Sequence, residues 1–125
     1  MEIHMAKHQS FNPHSSLEKR AFQAWLLLIG AAWRRETVTY TDLAIAMFGT
    51  RALRHLGKIL GHIAYYCEQH RLPYLNCIVV GKFTGQPGWK VPVYNDKERE
   101  RVYHYPWFHV VPPSPEELKT AWESD

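Results

Sequence analysis

The stretch TDLAIAMFGTRALRHLGKILGHIAYYCEQH, residues 41–70, decides how the whole chain is read. Thr41 has a hydroxyl suited to an N-cap, which predicts a short helix from Asp42 to Phe48 with Leu43, Ala44 and Met47 inward. Gly49 stops that helix, because glycine enters the left-handed region at no steric cost. Thr50 is then expected to cap a longer helix that runs to about His70. Leu53, Leu56, Leu60, Ile63, Ala64 and Cys67 recur at the spacing of one helix face. Arg51, His55, Lys58 and His62 follow each other at four, three and four residues, which puts them on the opposite face with Arg54 alongside. A short helix, a turn and a longer helix with a cationic side form a helix-turn-helix pattern, whose second helix enters a groove of DNA.

Outward from this pair, the flanks complete the pattern. Residues 1–14 are expected to form a flexible lead, and Ser15-Ser16-Leu17-Glu18 has the order of a capping box. The helix it opens carries Leu17, Phe22, Trp25, Leu26, Leu28, Ile29 and Ala32 and ends near Arg34-Arg35; Thr37-Val38-Thr39 follows as a short strand. Beyond His70, Pro73 breaks the helix and Tyr74 to Val80 is expected to be a strand. Lys82 to Val91 holds a Gly/Pro-rich turn between two extended pieces, a hairpin that presents Lys82, Trp89 and Lys90 as a wing. Asn95 to Tyr103 is a highly charged, solvated segment, helical or turn, and Tyr103 to Val111 packs over the core as strand or loop. Pro112-Pro113 interrupts the chain before Ser114-Pro115-Glu116-Glu117 caps a last helix. The expected fold is α+β, a winged helix-turn-helix that is mainly helical with a small β-hairpin wing. It spans residues 15–111, with a tail at 112–125.

Composition narrows the function. A length of 125 residues suits one domain, and 46% hydrophobic with 22% charged residues excludes wholesale disorder. No apolar run has the length of a membrane span and the N-terminus lacks a signal-type apolar core, so the expected setting is the cytoplasm, away from membranes. Two cysteines are too few for a disulfide framework. A net charge of +3 suits a polyanionic partner. Cys67 and His70 stand at i, i+3, but Cys67 belongs to the apolar stripe, so neither metal nor cofactor is expected. A Gly-rich phosphate loop, a Gly-x-Ser-x-Gly elbow and paired catalytic carboxylates are all missing. Trp25 belongs to the core, Trp33, Trp89 and Trp107 are candidate exposed contacts, and Trp122 joins Leu118 on the last helix.

Val38-Thr39-Tyr40-Thr41-Asp42-Leu43-Ala44 followed by Arg54-His55-Leu56-Gly57-Lys58-Ile59-Leu60 resembles the DNA-binding domain of alkylguanine-DNA alkyltransferases and of the non-catalytic alkyltransferase-like proteins. The Tyr40 to Arg54 separation fits that family, and the resemblance covers residues 20–91. It implies that Tyr40 presses on a phosphate beside a flipped nucleotide and that Arg54 enters the stack through the minor groove. The family's enzymes carry their acceptor in Pro-Cys-His-Arg-Val. Here the comparable stretch is Leu75-Asn76-Cys77-Ile78-Val79-Val80, and aligning the valines puts Asn76 at the reactive position. Cys77 is then expected to lie in an apolar strand as an inert thiol, and alkyl transfer is not expected. The expected function is non-enzymatic binding of double-stranded DNA through Tyr40, Thr41, Arg51, Arg54, His55, Lys58, His62, Lys82, Trp89 and Lys90. A second reading is a protein-binding winged-helix factor of phage, plasmid or regulatory type that acts on a host protein through its exposed aromatics and tail helix. A third is a nuclease that uses the histidines.

Overall fold

A computed structural model describes residues 9–12, 14–51, 53–88 and 96–124. The chain runs α1 (Leu17–Trp33), β1 (Val38–Thr39), α2 (Tyr40–Phe48), α3 (Leu56–Gln69), a 3-10 turn (Leu75–Ile78), β2 (Val79–Val80), α4 (Asp96–His104), a second 3-10 turn (Trp107–His109) and α5 (Pro115–Glu123). It is mainly helical with one small parallel sheet, in which Val38 pairs with Val79 and Thr39 with Val80.

Local chemistry explains most element ends, with three corrections to the expected caps. α1 begins at Leu17 after Ser16; the Ser15 hydroxyl accepts the Asn12 amide at 3.0 Å, so the expected capping box does not form. Thr39, not Thr41, caps α2, its hydroxyl accepting the Asp42 amide at 3.0 Å. α3 begins six residues after Thr50, with His55 in the cap position and no side-chain cap bond. At the far end, the Ser114 hydroxyl and the Glu117 amide bond at 3.1 Å while the Glu117 carboxylate accepts the Ser114 amide, the reciprocal pair expected for α5. Gly49 ends α2 at φ 74°. α1 and α3 end differently: Arg35 and Arg71, both at φ 56°, take the left-handed position that glycine usually fills. The following amides of Glu36 and Leu72 then reach back to the Ala31 and Cys67 carbonyls at 3.0 and 2.8 Å.

The core lies where α1, α3 and α5 meet. Trp25 is its centre, edge-on to Tyr66 and to Trp107 with ring centroids 5.6 Å away in each case. Leu28, Ile59, Ile63 and Leu118 fill the space around it and are fully buried. Trp107 is 3% exposed and donates its indole N–H to the Val102 carbonyl at 2.8 Å, so it is a core residue and not a surface contact. α5 docks on α3 through Gly61, where an added Cβ would collide with the Trp122 ring; only glycine lets the two helices approach this closely. Trp122 also lies flat on His62, with centroids 4.8 Å apart and planes 4° from parallel.

The expected Tyr74–Val80 strand is mostly not a strand. β1 offers only two residues as a partner, so pairing reaches no further than Val79-Val80, and Leu75–Ile78 coil into a 3-10 turn. The expected hairpin shows its turn but not its second arm: Trp89 and Lys90 lie outside the described residues. No helix among the described residues is long and apolar enough to cross a membrane.

Candidate nucleic-acid interface

Because α3 starts at Leu56, the expected cationic helix face is reorganised. Arg51, Arg54 and His55 lie in the exposed connection that leads into α3, and Lys58 sits in its first turn. Leu53, expected in the apolar stripe, is 47% exposed, which is why the segment before Leu56 gains nothing by joining the helix. His62 leaves the candidate set. It is 2% exposed, its Nδ1 lies 2.6 Å from the Lys58 carbonyl, and burial holds its pKa below the usual imidazole range. A side chain covered by Trp122 cannot reach a groove.

What remains is a cationic cluster at one end of α3. Between Thr37 and Asn95 the sequence has six Lys and Arg residues and two acids, Asp42 and Glu68, a net +4 in a chain whose total is +3. The arginine ion pairs among the described residues lie elsewhere, Arg34–Glu36, Arg35–Glu100 and Arg101–Glu98, and His104 stands 3.6 Å from Glu100. Arg51, Arg54, Lys58 and Lys82 form no ion pair with a described carboxylate. The α3 N-terminus adds to this field, since no acceptor among the described residues meets the Gly57 and Lys58 amides and the helix dipole is positive there.

Tyr40 and the loop after β2 form a second part. Tyr40 is half-buried at the start of α2, and its hydroxyl accepts the Gly88 amide at 2.6 Å. Burial raises its pKa, so the hydroxyl stays protonated and can donate a second bond. Thr41, beside it, is half-buried. The loop turns at Gly85, φ 63°, with the Gly81 amide on the Gln86 carbonyl at 3.0 Å. Arg99 of α4 holds it by donating to the Gly85 carbonyl at 2.8 Å. Lys82 is exposed on the turn, and beside it Phe83 is 95% exposed, with the Lys82 ammonium 5.9 Å from its ring. Sequence reading missed Phe83. An aromatic between a lysine and a Gly/Pro-rich turn was the signal available.

The thiols are not reactive groups. Cys67 is fully buried and Cys77 lies inside the 3-10 turn, and burial pushes both pKa values up to about 12. Asn76 is 3% exposed and its Oδ1 has no hydrogen-bond partner among the described residues. Cys67, Cys77, His62 and His70 do not gather; among the described residues no group of three or more His, Cys, Asp or Glu side chains could hold a metal ion. Comparison with known proteins yields no matching family model, curated protein or solved structure.

Proposed function

We propose that the protein is a non-enzymatic DNA-binding domain of winged-helix type, similar to the alkyltransferase-like proteins, with the turn after β2 serving as its wing. The observation that carries this reading is the exposed group of Arg51, Arg54 and Lys58, with His55 among them, at the open end of α3, where none of the three cations forms an ion pair with a described carboxylate. Cations left without carboxylate partners are costly neighbours in the free protein, and phosphates relieve that repulsion. Tyr40 and Lys82 extend the surface toward a second strand, and Phe83 offers a flat apolar face to a base or sugar. The buried thiols, lifted to about 12, support a role without alkyl transfer.

Fluorescence anisotropy with a labelled duplex at low salt tests the reading. Wild type binds, and Arg54→Ala and Lys58→Ala each weaken binding severalfold without changing the circular-dichroism spectrum. No binding, or equal binding by all three proteins, overturns it.

A second reading has its own observation. Trp33 is 73% exposed and stands edge-on to the exposed Phe108, centroids 5.4 Å apart, beside a cleft of about 270 Å³. Exposed aromatics beside a cleft suit a protein partner. Such a complex survives nuclease and high salt, which a duplex complex does not.

A further inference from the structure

The buried guanidinium of Arg20, which the duplex-binding reading does not use, stands beside a cavity that shares Arg54 and His55 with the proposed duplex surface. Arg20 is 6% exposed, on the inner side of α1. Its Nη1 donates to the Met47 carbonyl at 2.7 Å and to Gln23 Oε1 at 2.8 Å, and its Nη2 donates to the Asn12 carbonyl at 2.7 Å. Its carbon lies 4.8 Å from the Phe48 ring centroid and 5.6 Å from that of Phe11. Every one of these partners is neutral. No carboxylate among the described residues comes within ion-pair range, and burial alone lowers its pKa. A guanidinium has five N–H donors, of which three are used here. A charge this buried is normally matched by an opposite one, because the desolvation cost is otherwise uncompensated.

Arg20 lines a cavity of about 440 Å³ bounded also by Phe11, Phe48, Arg54, His55 and Ile59. That volume is within the range of small-ligand sites, roughly 300–1,000 Å³. Its lining mixes aromatic and aliphatic side chains with Arg20, Arg54 and the His55 imidazole, beside the N-terminus of α3. We propose that this cavity binds a phosphate ester of mononucleotide size, its phosphate held between Arg20 and Arg54 and its flat body against Phe48. Two cations and a ring nitrogen suit a phosphate, which carries more charge and more acceptor oxygens than a carboxylate. The phosphate comes either from a free nucleotide or from a DNA strand lying across α3.

The test is amide chemical-shift mapping of the full chain titrated with adenosine 5′-monophosphate, with adenosine and inorganic phosphate as controls. Saturable shifts at Arg20, Phe48 and His55, at least tenfold weaker with adenosine, are expected. Arg54→Gln, an exposed position with no ion pair to a described carboxylate, weakens binding about tenfold. Arg20→Gln abolishes it, and Arg20→Lys, which keeps charge without the fork, does not restore it fully. If Arg20→Gln fails to fold, Phe48→Leu with Arg54→Gln carries the test. Competition then locates the source: a duplex that displaces the nucleotide supplies the phosphate from its strand, and a duplex that binds alongside it leaves the cavity to free nucleotide. Nucleotide binding without duplex binding supports the cavity and overturns the duplex reading. No shift at millimolar nucleotide, with duplex affinity changed by Arg54→Gln but not by Phe48→Leu, overturns the cavity and leaves the duplex reading intact.

Discussion

The two ends of α1 face opposite demands. At its N-terminal end lie the α2–α3 connection, the cations Arg51, Arg54 and Lys58, and His55, exposed and without described carboxylate partners. At its C-terminal end Arg34 and Arg35 pair with Glu36 and Glu100, Arg101 pairs with Glu98, and His104 lies beside Glu100. Between the ends the core is held by aromatic contacts around Trp25. The same residue types are thus neutralised at one end and left open at the other. Exposed ion pairs contribute little stability, about 0–1 kcal/mol each, and only Glu98 among these acids is buried, so the contrast marks where charge is kept available more than where the fold is held. Stability resides in the core and in α5, and the binding proposed above is assigned to the open end of α3.

Substitutions can break or sharpen that division. Trp25→Ala removes the ring that both Tyr66 and Trp107 pack against and should cost about 4 kcal/mol in chemical denaturation, the largest effect expected here. A loss under about 1 kcal/mol would mean that the core is centred elsewhere. Gly61→Ala forces its new methyl against Trp122 and should cost about 2 kcal/mol, with a red shift of tryptophan emission as α5 loosens. Duplex affinity of the folded fraction should not change; if it falls with the loosening of α5, the two regions are not separate.

Acid should act through the stable half. Burial depresses the His62 pKa below its ordinary 6.5, so the folded chain prefers the neutral ring and the unfolded chain takes up the proton first. Stability is therefore complete above about pH 6.5 and falls as the pH drops toward the lower folded value. His62→Phe keeps a ring on Trp122 and should flatten that decline; an unchanged pH profile would assign it to other groups. At the open end, Phe83→Ala should alter stability by less than about 0.5 kcal/mol, since the ring is 95% exposed, and weaken duplex binding only a few fold. Equal duplex affinity would remove Phe83 from the interface.

How much of this was legible in the sequence follows the same division between local and distant causes. α1, α2 and α5 could be read because their apolar stripes and the Gly49 and Ser114 signals lie within the elements themselves. The start of α3 could not, because Leu53 has the right spacing but no partner to bury it. His62 looked like part of a polar face, since its cover, Trp122, comes 60 residues later. The length of β2 was set by its two-residue partner and not by the β-branched run of Ile78-Val79-Val80. Arg20 gave no sign of its role, because two of its three acceptors are the backbone carbonyls of Asn12 and Met47, which a side-chain pattern does not record. Of the cationic set, Arg51, Arg54, His55, Lys58 and Lys82 are exposed as expected, although they come from a connection, a first turn and a loop instead of one helix face.

The salt dependence of duplex binding tests the central claim most directly. If Arg51, Arg54 and Lys58 each neutralise a phosphate, the logarithm of the binding constant should fall against the logarithm of salt with a slope of about −3, and Arg54→Ala should reduce that slope by about one. A slope near zero, or one that Arg54→Ala leaves unchanged, would contradict the assignment of the open end of α3 to DNA.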